Sequence, residues 1–178
     1  VQDTRLTWFL ETVPVLLTLP VLVLSARRFR LTTLVYTFIA LHAVVLMVGG
    51  HYSYAKVPLG FWMADWFGWT RNNYDKIGHL MQGFVPVLVT REILVRMSPL
   101  RGSRWLAPLC LAVAMAISAL YEILEWLASL ADPGDTEAFL GTQGYVWDTQ
   151  TDMALCLVGA VLALACLSRL HDRQLARR

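Results

Sequence analysis

Ala116-Ile117-Ser118-Ala119-Leu120-Tyr121-Glu122-Ile123-Leu124-Glu125-Trp126-Leu127 places two carboxylates in an apolar run with no basic residue beside them. The run lies within an apolar segment near 105–130, and about 20 such residues are enough to cross a bilayer as a helix. Spaced i,i+3, Glu122 and Glu125 share one helix face, which Ser118 and Ser129 continue. Carboxylates this close in an apolar setting repel each other, so they share a proton or hold a cation between them. Charges within a bilayer are costly and turn toward a bundle interior or a wet cavity. The expected fold is all-α, a polytopic transmembrane helical bundle.

Working outward, four more segments have the length and character of membrane helices, near 6–25, 31–50, 76–96 and 150–169. The first carries Pro14 and Pro20 and the third Pro86, residues that membrane helices tolerate. The expectation is one transmembrane domain over 1–178, with five helices and two outer loops, 51–75 and 131–149. The residues are 57% hydrophobic and 16% charged, with a mean hydropathy of +0.52. That excludes a disordered chain and fits a soluble domain poorly. Cys110, Cys156 and Cys166 lie in apolar helices without metal-ligand spacing and read as small core residues.

The net charge of +2 hides a segregation. Arg27, Arg28 and Arg30 lie between the first two helices. Arg91, Arg96, Arg101 and Arg104 surround the turn after the third, and Arg169, Arg173, Arg177 and Arg178 follow the fifth. The positive-inside rule makes that side cytoplasmic, with a cytoplasmic C-terminus. Arg5, Lys56, Arg71 and Lys76 are the remaining basic residues. The expected location is the inner membrane, and no nucleic-acid partner is expected. Aromatics crowd the first outer loop (Phe61, Trp62, Trp66, Phe67 and Trp69), which suits an interfacial helix among lipid headgroups. In the second, Asp132, Asp135 and Glu137 precede Gly141-Thr142-Gln143-Gly144, an ordinary turn or a backbone nest for an anion.

On this topology, metal-competent groups from four helix ends share one depth: His51, Asp75 with His79, Glu122 with Glu125, and Asp148 with Asp152. Imidazole and carboxylates together suit zinc, manganese or iron, and a carboxylate-rich site suits magnesium or calcium. His51, His79, Glu122, Asp148 and Asp152 are the expected ligands of a divalent metal ion. Glu125 or Asp75 is the expected general base, and Lys56 and Arg71 the expected anchors of substrate charge. Gln82, one turn beyond His79, and Ser118 are expected to support the ligands from behind. Each piece has a simpler reading. Asp75 and Asp148 stand where helix N-caps belong, and His79 alone could be a hydrogen-bonded packing residue. His42 and Glu11 read as structural.

The runs His51-Tyr52-Ser53-Tyr54-Ala55-Lys56-Val57-Pro58-Leu59-Gly60, Arg71-Asn72-Asn73-Tyr74-Asp75-Lys76-Ile77-Gly78-His79, Tyr121-Glu122-Ile123-Leu124-Glu125-Trp126 and Gly141-Thr142-Gln143-Gly144-Tyr145-Val146-Trp147-Asp148-Thr149-Gln150 resemble the YjdF family of small bacterial inner-membrane proteins. The resemblance extends over about 8–168. More distantly, Asp75-Lys76-Ile77-Gly78-His79 and the stretch from Asp148 to Gly159 are similar to VanZ-like proteins of envelope biology. Both resemblances support the fold and the choice of site residues, and neither implies a reaction. Members of the YjdF family carry a further apolar segment at the N-terminus. This chain begins at Val1 rather than Met, so the resemblance leaves the intact protein with five or six helices.

Three functions compete. The preferred one is a metal-dependent hydrolase acting in the cell envelope on a lipid or lipid-linked phosphate, because a metal turns bound water into a nucleophile near neutral pH. A proton-coupled carrier would use the same groups, but only His42 and Glu92 could continue a path inward. Five or six helices would then need an oligomer or larger membrane complex. The third is an accessory protein that binds lipid, drug or partner, with the polar cluster as structural glue.

Overall fold

A computed structural model of the chain describes residues 5–131 and 142–177. Asp132, Asp135, Glu137 and Gly141 therefore lie outside the described residues, as does the side chain of Glu11. Among the described residues five long helices form the bundle: α1 (Arg5–Ser25), α2 (Thr33–Tyr52), α4 (Tyr74–Met97), α5 (Leu106–Ala131) and α6 (Asp148–Leu175). Between α2 and α4 the chain makes a 3₁₀ turn, Tyr54–Lys56, and the short helix α3 (Pro58–Phe67).

Length and composition explain the arrangement. Among the described residues, α2, α5 and α6 are long and apolar enough to cross a membrane. At 24 residues, α4 extends about 36 Å at 1.5 Å per residue. Asp75 and Lys76 stand near its start, and Arg91, Glu92 and Arg96 near its end. These charges are tolerated because α4 is central, packed against α2, α5 and α6, and Asp75, Arg91 and Glu92 are buried there. The peripheral α1 packs on α2. Leu17, Val21 and Leu24 of α1 and Leu120, Ile123 and Leu127 of α5 are exposed. Apolar surface on that scale exceeds what a soluble monomer shows. Lipid is its natural cover.

The core runs through the middle of the bundle, from Leu31 and Val35 across Val87 and Leu88 to Cys110, Ala114, Ala160 and Ala163. Small residues let the backbones approach. A Cβ on Gly83 of α4 would run into the carbonyl of Cys156 on α6, and a Cβ on Gly159 of α6 into the carbonyl of Leu80 on α4. Close crossing through small residues is how helices associate where lipid removes the hydrophobic drive. This crossing fixes the register of α4 against α6, and with it the site.

At the arginine-rich end, Glu92 is fully buried and clamps three helices. Its carboxylate accepts from Thr32 N at 3.0 Å and Thr32 Oγ1 at 2.7 Å, at the N-cap of α2. It also takes Arg96 Nη1 at 2.8 Å and lies 3.1 Å from His171 Nε2 on α6. Gln174 Oε1 accepts from Leu34 N at 3.0 Å. These contacts explain why α6 runs past 169 to Leu175. Glu92, weighed above as part of an inward path, is fully engaged by these donors.

At the opposite end the two loops are stitched side chain to backbone. Gln143 Oε1 accepts from Asn72 N at 3.1 Å, and Gln143 Nε2 donates to Asn72 O at 2.7 Å. Asn72 in turn donates to Val57 O at 2.9 Å and accepts from Tyr74 N at 3.0 Å. The turn closes with Tyr145 N on Thr142 O at 2.8 Å, Gln143 and Gly144 having φ of 48° and 78°. Thr142-Gln143-Gly144 is thus a turn that presents the Gln143 amide to Asn72. Gln143→Ala removes both bonds, and we expect a loss of about 1–2 kcal/mol, with faster hydrogen exchange at the Asn72 amide as the local readout. In α3, Phe61, Trp62, Trp66 and Phe67 are exposed while Gly60 and Ala64 are buried.

Candidate functional site

Three helices and one loop converge on the acidic end of the bundle. Asp75, Lys76 and His79 come from the first turns of α4, Asp148 and Asp152 from those of α6, and Glu122 and Glu125 from α5. Asp75 and Asp148 are not N-caps. Asn73 and Trp147 hold those positions without a side-chain capping bond. The two aspartates lie inside the first turn, turned toward each other by the α4–α6 crossing.

Lys76 is the hinge of the arrangement. Its ammonium donates to Asp148 Oδ1 and Asp152 Oδ1, both at 2.7 Å, and lies 3.3 Å from Asp75 Oδ2. Arg71 Nη2 donates to the same Asp148 Oδ1 at 2.9 Å. Its other nitrogens reach Asn73 Oδ1 and Thr142 O, each at 2.8 Å, and its guanidinium lies over the Tyr145 ring at 4.5 Å. Asp75, Asp148 and Asp152 have ligand atoms within 4.8 Å of one another, but an ammonium of the protein already serves them.

A second group lies beside the first and shares Asp152 with it, and among the described residues no ammonium is bonded to its His79 or Glu122. Ligand atoms of His79, Glu122 and Asp152 also fall within 4.8 Å of one another. His79 Nδ1 is 3.7 Å from Glu122 Oε1, and Nε2 is 3.7 Å from Asp152 Oδ2. His79 Nδ1 also lies 3.0 Å from Gln82 Oε1. Donation from Nδ1 to that oxygen leaves the Nε2 lone pair facing Asp152, the tautomer a metal ligand requires. Glu122 Oε1 is buried without a hydrogen-bond partner, and such a group needs an explanation. Asp152 joins the two groups, one oxygen on Lys76 and the other toward His79. Among the described residues, five carboxylates (Asp75, Glu122, Glu125, Asp148, Asp152) gather here with two cations, Arg71 and Lys76. Unpaired charge in a low-dielectric interior is strongly unfavourable, so the arrangement calls for a further cation or for protons.

Next to the cluster is a cavity of about 760 Å³ between α1, α2, α4 and α5. Val15, Leu22, Ile39, Val85 and Val89 make its walls apolar, while Asp75, His79, Gln82 and Glu125 furnish its polar end.

An apolar-skinned helical bundle with a buried acid cluster is a membrane protein, and sequence comparison says which kind. The model of a family described as predicted membrane proteins (DUF2238) matches residues 1–173. The chain belongs to the DUF2238 family. It is 53% identical over 173 residues to the inner membrane protein YjdF of Escherichia coli (strain K12), covering 97% of this chain and 83% of that relative. No solved structure matches. It is an integral, multi-pass inner-membrane protein.

In this DUF2238 protein most of the residues singled out from sequence meet, and two stand apart. His51 is exposed at the end of α2, edge-on to Tyr52 with centroids 4.7 Å apart, and belongs to neither ligand-spaced group. Aromatic packing accounts for this. The Tyr54 ring lies on Gly49 and approaches Gly78, and Tyr74 donates to Val45 O at 3.1 Å. These rings fill the outer α2–α4 seam and leave His51 on the surface. Lys56 is exposed on the 3₁₀ turn, and Lys76 with Arg71 supplies the ion pairs to the acids. Ser118 is fully buried one turn before Glu122. Lys76 was the residue that sequence reasoning undervalued. Its signal was its position, one residue after Asp75 in a chain with few cations on that side.

Proposed function

We propose that the protein is a metal-dependent hydrolase of lipid or lipid-linked phosphate in the cell envelope. His79, Glu122 and Asp152 bind the divalent ion, and Asp148 supports Asp152 through Lys76. The observation carrying this reading is the group of three ligand-spaced side chains from three helices at the polar end of an apolar cavity, in which Glu122 Oε1 is buried without a hydrogen-bond partner. A bound divalent ion would polarise a phosphoryl oxygen and lower the pKa of a water molecule. Zinc, manganese, iron and magnesium remain the ions to try. Glu125 and Asp75 line the cavity beside this group and serve as proton acceptors. Gln82 holds the His79 ring, and Ser118 packs behind Glu122. Arg71 is committed to Asp148, so its part is to position the ligands. The arginine distribution supports a site that faces the outer leaflet and a cytoplasmic C-terminus.

Lys76 among Asp75, Asp148 and Asp152 favours a second reading in which part of the cluster is structural glue for a lipid- or partner-binding protein. Metal content separates the two. Protein purified in mild detergent without chelator is expected to carry near-stoichiometric metal by mass spectrometry, lost in folded His79→Ala and Glu122→Ala. Absence of metal from the parent, even after incubation with each of the four ions, would sink the hydrolase reading.

A further inference from the structure

The cavity beside the metal group has a charge pattern of its own. Among the described residues two carboxylates line it, Asp75 and Glu125, and no lysine or arginine does. Arg71 and Lys76 instead line a separate groove on the α6 side, over Leu155 and Val158. Asp75 is more than nine-tenths buried, and its Oδ2 is ion-paired with Lys76 Nζ at 3.3 Å but accepts no hydrogen bond. Two aromatic rings share the same polar end. Tyr121 stands edge-on to His79 with centroids 6.3 Å apart, and Tyr54 packs over Gly49. Carboxylates beside aromatic faces are the chemistry that holds an ammonium group. With no divalent ion bound, an anion entering this end would meet like charge.

The rest of the cavity suits a hydrocarbon tail. Its lining follows one face of α4 from Asp75 to Thr90, about 22 Å of helix at 1.5 Å per residue. Below Gln82 that face carries Val85, Pro86 and Val89, opposite Leu22 and Ile39. The wall formed by α1 contains Pro14 and Pro20, and each removes a backbone donor from its helix. Leu17, Leu19 and Val21 of α1 line the cavity and are themselves exposed, so the cavity opens onto the face that lipid covers.

We infer that this cavity binds a cationic amphiphile, its ammonium held between Asp75 and Glu125 beside Tyr54 and Tyr121, its tail lying along α4 after lateral entry past α1. The inference is independent of the metal. It is tested in chelator on the full chain in nanodiscs, using an alkyltrimethylammonium with a mid-chain diazirine and the alkyl sulfate of equal length. The ammonium probe is expected to label cavity-facing residues of α2 and α4 saturably, with competition by unlabelled tetradecyltrimethylammonium. The sulfate should label only the lipid-facing surface. Glu125→Gln should reduce cavity labelling at least about tenfold, the equivalent of about 1.4 kcal/mol. Val85→Trp should block it by filling the tail region, with labelling of the lipid-facing surface unchanged as a check on folding. Equal cavity labelling by both probes, or non-saturable labelling by the ammonium, would overturn the inference. If Glu125→Gln does not fold, the comparison of the two probes on the parent decides by itself. Because chelator is present throughout, a failure here leaves the metal reading standing, and metal-free protein that binds the ammonium leaves this one standing.

Discussion

Glu92→Ala is expected to cost the fold about 3–5 kcal/mol, the usual penalty for breaking a buried ionic network by removing one partner. The carboxylate has no exposed surface and holds Thr32, Arg96 and His171 together. Its loss leaves the amide and hydroxyl of Thr32, the N-cap of α2, without their acceptor and strands His171 near an apolar core. The damage should begin where α6 passes 169. His171 is fully buried against Glu92, and without it the last turns of α6 lose their dock. The measurement is denaturation followed by helical circular dichroism, with limited proteolysis reporting on 169–175. Glu92→Gln keeps the shape and an acceptor oxygen, so a smaller loss is expected. A penalty for alanine below about 1 kcal/mol, the scale of one ordinary hydrogen bond, would show that the network is not what ties α2, α4 and α6 together.

Gly83→Leu is the second large effect expected, about 3 kcal/mol or more, at or above the upper end for overpacking. A side chain at 83 meets the Cys156 carbonyl of α6, a backbone atom with no freedom to move aside. The helices must separate, and that separation carries His79 away from Asp152. Metal capacity should therefore fall together with stability. Gly159→Leu, directed at the Leu80 carbonyl, should behave in the same way from the opposite helix. Gly78→Ala is the control on α4. Its Cβ would come no closer than 3.4 Å, to the Tyr54 ring, so the change should be neutral or stabilising by up to about 1 kcal/mol from helix propensity. Equal losses at positions 78 and 83 would count against close backbone crossing as the device that sets the register.

Composition and spacing determined the class of this protein without help from tertiary structure. Apolar runs the length of a bilayer specify helices by themselves, because a chain in lipid must satisfy its amides internally. Residues at i,i+3 or i,i+4 share a helix face whatever that face meets. Hence Glu122 with Glu125 and Asp148 with Asp152 could be recognised as inward-facing pairs, and cost alone argued that they meet something polar. What they meet was decided between helices. Gly83 and Gly159 read as unremarkable glycines until their backbones are seen in contact. That crossing gives Asp152 one oxygen toward Lys76 and the other toward His79. Aromatic packing of Tyr54 and Tyr74 left His51 outside, although its place in the chain suggested otherwise. The cavity had no trace in the sequence, since its walls come from four helices and its emptiness depends on where α1 lies. Local patterning is set by the period of one helix, whereas partnerships across helices depend on the crossing geometry of several.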